Sequence, residues 1–148
     1  MTIRIDWNKL ALLPDDEDKS FEKFCFHIAA HKFGEYGKVS YFYNTPGSEF
    51  YIELNKPMKF EGIQYTIGDV IGWQAKYWKG NKDDDNSPLD AKHIDELVEG
   101  FNKTVKYRPN VKLWIVCSPG SFVQTQWDKL LNTLSRDSRN ISKNNLIN

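Results

Sequence analysis

Apolar positions recur along this chain with two different periods, and the changes of period mark out its elements. Phe21, Phe24, Cys25, Ile28 and Ala29 follow helical spacing, with Phe26, Ala30 and Phe33 widening the stripe. The acidic run Asp15 to Asp18 suits the positive end of that helix, and Gly34 is placed to end it. Period two then takes over. Val39, Tyr41 and Tyr43 alternate with Ser40 and Phe42 within Lys38 to Asn44, which reads as a strand, and Thr45-Pro46-Gly47-Ser48 reads as a turn. Glu49 to Leu54 is a second strand, with Glu49, Tyr51 and Glu53 on one face and Phe50, Ile52 and Leu54 on the other. Asn55 to Gly62 is expected to be a connecting loop, Ile63 to Ile67 a short strand, and Gly68-Asp69 a turn.

The stretch Ile71 to Trp78 is the next strand. Ile71, Trp73, Ala75 and Tyr77 share one face, and Gly72, Gln74, Lys76 and Trp78 the other. After the polar loop Lys79 to Asn86, Ser87-Pro88-Leu89-Asp90 carries helix-start chemistry, with Ser87 as the expected N-cap and Asp90 in the capping-box position. Ile94, Leu97, Val98, Phe101 and Val105 give a helical stripe closed by Pro109. Val111 to Cys117 is nearly all apolar, as in a strand covered on both faces. Ser118-Pro119-Gly120 breaks it, and Val123, Trp127, Leu130, Leu131 and Leu134 form a last amphipathic helix. Residues 1–14 read as an arm or short helix packed on the domain. Residues 135–148 read as a polar tail or linker, beyond a domain spanning 1–134.

This order predicts an α/β sandwich around a mixed sheet. The middle strands are antiparallel neighbours, and the last strand returns through a helix, parallel to the strand it joins. The chain has 148 residues, enough for one domain with a real core. Lys and Arg number 20 and Asp and Glu 20, so bulk charge does not announce a nucleic-acid binder, and a polyanion must be met by a local patch. No apolar run is long enough to span a bilayer, and the N-terminus lacks a signal-peptide pattern. Cys25 and Cys117, both in apolar segments, read as buried reduced thiols of a cytoplasmic protein.

One detail of the Ile71 to Trp78 strand is expensive. It sets Gln74 and Lys76 side by side among apolar and aromatic residues, and burying an unpaired ammonium costs several kcal/mol or shifts its pKa. Either the strand has one wet face, or that face holds an anion or a metal. If Glu49 to Leu54 pairs beside this strand, Glu49 joins Gln74 and Lys76 on one face. Glu49, Gln74 and the main-chain oxygen of Ala75 then offer oxygen ligands to a hard cation such as Mg2+. Lys76 would orient water and offset charge on phosphate oxygens. That chemistry is phosphodiester hydrolysis.

A helix, a strand with an acid, a strand with (D/E/Q)-x-K, a helix, a strand and a helix resemble the PD-(D/E)xK nuclease superfamily over about residues 18–134. The likeness is nearest to its Mrr-like restriction endonuclease branch, where Gln commonly replaces the second acid. Gly47-Ser48-Glu49-Phe50-Tyr51 and Gly72-Trp73-Gln74-Ala75-Lys76-Tyr77 also resemble the N-terminal nuclease effector domains of bacterial anti-phage NTPases. Phe21-Glu22, and Ser118-Pro119 before a Trp-bearing helix, fit the same template. The resemblance implies a restriction-endonuclease-like three-layer core, a mixed β-sheet flanked by helices. It implies an Mg2+- or Mn2+-dependent endonuclease acting on double-stranded DNA, with further domains or a homo-oligomer as partners and no membrane. Glu49, Gln74 and Lys76 map to the catalytic positions, and Glu22 to a helix acid that often sits near the metal. Three features depart from the pattern: Glu rather than Asp at 49, an uncharged Gln74, and an insertion of about Asn55 to Val70 between the motif strands.

Other readings compete. Asp69 is the nearer acid in sequence, but its parity sets it with Trp73. Glu53 shares the face of Glu49 and is the reserve acid. His27 and His31 have a metal-binding spacing, yet Ile28 stands where a metalloprotease needs Glu, and they read as partly exposed helix histidines. His93 opens the second helix, either near a phosphate or on a solvated face. Trp73 and Trp78 have faces on which bases could stack, although Trp73 reads as core. Lys76, Lys79 and Lys82 form a positive rim, followed at once by Asp83 to Asp85. A non-catalytic nucleic-acid-binding or assembly module on the same fold, and an unrelated α/β enzyme using Glu22 or His93, are the alternatives.

Overall fold

The computed structural model describes residues 6–42, 47–78, 90–120, 124–137 and 146–147. Helix α1 (Glu17–Phe33) starts where the acidic run predicts. The Asp16 carboxylate caps it, accepting from the Lys19 N–H at 2.7 Å. A 3-10 turn, Trp7–Leu12, lies before it, and Trp7 packs its ring edge-on against Phe21 and Phe24. The main sheet holds β1 (Ser40–Tyr41), β2 (Phe50–Glu53), β5 (Val70–Ala75), β6 (Val111–Cys117) and β7 (Leu146–Ile147), in that spatial order. β1, β2 and β5 are antiparallel neighbours, and β6 is parallel to β5, as the order of elements predicts. The β5 to β6 connection contains α2 (Ala91–Tyr107), and α3 (Gln124–Asp137) follows β6.

The chain is therefore mixed α/β, with helices on both faces of a mixed sheet. On one face α1 places Phe21, Cys25, Ala29 and Phe33 against Phe50, Ile52, Ile71, Trp73, Leu113 and Ile115. On the other, Ile94, Leu97 and Phe101 of α2 and Leu130 and Leu134 of α3 meet Trp114 and Val116. Alternation along β5 and β6 divides the two cores. The register pairs Phe50 with Trp73 and Ile52 with Ile71, so the apolar parity of β2 and that of β5 fall on the same side. Phe50 and Trp73 stack with ring centroids 5.4 Å apart, and Phe33 meets Trp73 edge-on at 5.2 Å.

Three local expectations change. Asn55 to Gly62 is not simply a loop: Met58–Phe60 forms β3, which pairs with β4 (Ile63–Tyr65) as a separate hairpin. Its turn is Glu61-Gly62, both with positive φ (49° and 79°), the geometry that suits a two-residue hairpin turn. Second, the N-cap of α2 is Asp90. Its carboxylate accepts from the His93 N–H, and His93 Nδ1 accepts from the Asp90 N–H, both at 3.3 Å. Ser87, the expected cap, lies outside the described residues, as do Lys79, Lys82 and Asp83 to Asp85. Third, the polar tail returns to the sheet, where residues 146–147 pair parallel with Trp114 and Ile115.

Phe50, the first residue of β2, is fully buried on the α1 face of the sheet, its ring against Phe26 and Trp73. Phe50→Ala is expected to lower the unfolding free energy by about 3–5 kcal/mol, the range for emptying a buried aromatic position. Ile67→Ala, at a side chain 66% exposed, should stay within about 0.5 kcal/mol. Urea titrations of both variants check the pair.

Candidate functional site

The site forms where β2 stops and β5 continues. Glu49 immediately precedes β2, and its main-chain N–H still donates to the Trp73 carbonyl at 2.9 Å. Its side chain then does what the missing strand would have done: Glu49 Oε2 accepts from the Ala75 N–H at 2.8 Å. The main-chain donor that β2 no longer pairs thus goes to a carboxylate. On its other edge β5 is held by β6, and the Lys76 N–H donates to the Cys117 carbonyl at 2.9 Å.

Around this junction lies an open cleft of about 450 Å³, lined by Glu22, Glu49, Ala75 and Lys76 together with Asp18 and Lys19 of α1 and Glu96 of α2. A second cleft of about 540 Å³ shares Lys19, Glu22 and Glu49 with it. The first cleft sits at the carboxyl end of β5, beside the opening turns of α1 and α2, whose helix dipoles favour negative charge. It is also the region where open α/β sheets bind ligands.

The turn before Glu49 is clamped by α2. Thr104 donates its hydroxyl to the Gly100 carbonyl at 2.9 Å, so the Ser48 hydroxyl donates to Thr104 Oγ1, 3.0 Å away. Gly47 has φ of 101°, and a Cβ there would stand 2.5 Å from the Gly100 carbonyl oxygen. Glycine is required at that position on both counts.

Burial dominates the electrostatics of Glu49 and pushes its carboxyl up to about 7. The Ala75 N–H and the Lys76 ammonium act in the opposite direction, while the Glu22 carboxylate adds to the rise. Near neutral pH the group is poised between its neutral and charged forms, and a cation in the cleft would favour the charge.

Glu22, Glu49, Lys76 and Ala75 are thus brought together. Gln74, expected as the second metal ligand, is turned away. It is 4% exposed and packs against Gly100 of α2, where an added Cβ would meet its Oε1 at 2.5 Å. The Gln74 Oε1 is buried and has no hydrogen-bond partner among the described residues. The reason is parity: Gln74 lies within β5 and must face α2, whereas Glu49 lies outside β2 and its carboxylate curls past the strand end.

The rival residues have other places. Asp69 closes its own turn, accepting from the Thr66 N–H at 2.8 Å. Glu53 and both helix histidines, His27 and His31, are exposed, and His93 is taken up in the α2 cap and stacked on Trp78. Trp73 is core, 2% exposed. Among the described residues no group of three or more His, Cys, Asp or Glu side chains is arranged to hold a metal ion. Two contributors escaped sequence reasoning. Glu96 arrives from α2, and the Cys117 carbonyl fixes Lys76; neither position carries a local signal of that role. No helix among the described residues is long and apolar enough to cross a membrane. The chain matches no family model, and no curated protein is significantly similar to it.

The raised carboxyl of Glu49 sets a sign for pH dependence. Between about pH 4.5 and about 7 the unfolded chain releases this proton while the folded chain keeps it, so the residue's contribution to stability falls as pH rises. Glu49→Gln keeps an acceptor for Ala75 and removes the ionisation. It should therefore be more stable than the native chain at pH 8, by about 1–3 kcal/mol, and lose that advantage at pH 4. Urea titrations at the two pH values measure the difference.

Proposed function

We propose that this chain is a metal-dependent DNA endonuclease domain on a restriction-endonuclease-like core, serving as the effector of a bacterial anti-phage defence protein. The observation that carries the reading is the meeting of Glu49, Glu22, Ala75 and Lys76 on one cleft at the end of β5. The element order around it supports the same core.

The donor set fits a hard divalent cation. Asp16, Asp18, Glu22, Glu49 and Glu96 all line the cleft, and Glu49 lacks enough compensating charge to stay ionised below about pH 7. The N–H of Ala75 points to the β2 side, and in an extended strand the carbonyl of the same residue leaves on that side too. Glu49, Glu22 and the Ala75 main-chain oxygen would hold Mg2+ or Mn2+. The ion would supply Lewis-acid polarisation of phosphate and activation of water. Lys76 places an ammonium beside the same carboxylate, where it orients the attacking water and offsets charge gathering on phosphate oxygens. Gln74 supports the site from below, filling the space over Gly100. Lys and Arg equal Asp and Glu at 20 each, so strong DNA affinity requires several copies or additional domains to supply phosphate contacts.

One observation favours a second reading, a nucleic-acid-binding or assembly module that does not cut. Gln74, the second ligand of the nuclease pattern, is turned to α2, and among the described residues no three acidic, His or Cys side chains gather as a metal-holding group.

Plasmid degradation in Mg2+ or Mn2+ separates the two. Lys76→Ala and Glu49→Ala should each lower cleavage by about 100-fold or more, the scale for losing a transition-state donor. Glu22→Gln should raise the metal concentration required while leaving the rate at saturation closer to native. Cleavage that persists in both alanine variants sinks the site assignment. A folded, clustered native protein that never cleaves favours the binding module.

A further inference from the structure

Helix α1 turns one face to the sheet and leaves the edge of that face uncovered. Phe21, Cys25, Ala29 and Phe33, four apart, are buried, and the adjoining row is Phe24, Ile28 and Lys32, also four apart. The period asks for a third apolar residue at 32, and the chain has lysine. This second row lines an open cavity of about 380 Å³, a size that suits a small organic ligand. Two sets of rings stand on its walls. Trp7 meets Phe21 and Phe24 edge-on at 5.3 and 5.5 Å, and Phe33 meets Phe60 and Trp73 edge-on at 5.3 and 5.2 Å. Both sets line the cavity, and among the described residues no ring contact joins one set to the other. Lys32 is the cation of this lining. Its Nζ lies 5.0 Å from the Phe60 ring centroid and 5.8 Å from that of Phe33. Lys19, Lys23, Lys56 and Lys103 each have a carboxylate partner. Among the described residues Lys32 has none within ion-pair distance, although Glu61 lines the same cavity.

We propose that this cavity binds a small planar aromatic carboxylate, its ring system among the two aromatic sets and its carboxylate on Lys32. Aromatic walls favour a flat apolar body, which meets ring edges and faces. An ammonium held over two rings and lacking an acid gains a charge-assisted hydrogen bond from an incoming carboxylate. A neutral ligand leaves that ammonium as it was, and a cationic one is repelled by it. Glu61 limits the ligand to a single negative charge, since each further charge meets its carboxylate. Glu49, Lys76 and the cleft take no part, so the presence or absence of cleavage has no bearing on this site.

The full chain is titrated calorimetrically with naphthoate, and with naphthylmethanol and naphthylmethylamine as its neutral and cationic counterparts. Naphthoate should bind saturably, one molecule per chain, and about tenfold tighter than either counterpart, the scale of a hydrogen bond to a charged group. Lys32→Gln should erase that preference. Glu61→Gln should tighten naphthoate, and Ile28→Glu, which sets a second carboxylate beside the cavity, should weaken it. Lys32 and Ile28 are exposed, so both variants are expected to fold, and urea titrations check that they do. Naphthoate binding that is absent, or that never saturates, overturns the site. Equal affinity for the acid and the alcohol overturns the role of Lys32. Affinity unchanged in both Lys32→Gln and Ile28→Glu puts the ligand elsewhere and overturns the assignment. If light scattering shows a dimer that Ile28→Glu splits, and naphthoate does not bind, the occupant is a second copy and the small-anion site is overturned.

Discussion

A single hydrogen bond, from the Ala75 N–H to the Glu49 carboxylate, carries the transition from sheet to site. β5 is paired on both edges for most of its length, but β2 ends early, and the strand's last donor needs a partner. A main-chain N–H left bare in a half-buried place costs about 1–3 kcal/mol. A carboxylate meets that need, and in doing so it is fixed at the sheet edge on the lining of the cleft. Its position thus follows from backbone satisfaction. Its burial leaves it short of compensating charge, and the Lys76 ammonium beside it supplies only part.

The sheet reaches this arrangement because it changes character at β5. On one side of that strand the pairing is antiparallel, and on the other it is parallel. A parallel neighbour demands a crossover, and the crossover brings α2 across the sheet. α2 then does two jobs. Ile94, Leu97 and Phe101 cover the second core, and Gly100 and Thr104 grip the Gly47-Ser48 turn. The absence of a side chain at Gly100 admits Gln74. The same helix face therefore seals the sheet and steadies the residue that precedes β2.

Much of this was legible in the sequence, for physical reasons that can be named. The parity of Ile71 and Trp73, and of Phe50 and Ile52, dictated which side of each strand meets α1. The apolar run of Val111 to Cys117 announced a central parallel strand. The convergence of Glu49 and Lys76 followed from strand order. The position of Gln74 did not. Strand parity correctly set it opposite Trp73, but only the three-dimensional packing of Gly100 reveals that α2 covers that face. Glu49 breaks the parity rule because it lies one residue before β2 begins, a boundary that sequence patterns fix poorly. The β3–β4 hairpin was missed because Met58–Phe60 is short, and its Glu61-Gly62 turn is a weak form of the Asn-Gly signal.

The Lys76 main chain depends on a carbonyl that arrives late in the chain, from Cys117. A growing polypeptide that has not yet emitted β6 lacks this partner, the second core and the far edge of β5. Closing so long a loop is entropically costly and slow compared with forming α1 or the β3–β4 hairpin. During synthesis, the carboxylate-bearing half exists well before its ammonium is anchored, so the pocket becomes complete only as the domain finishes folding.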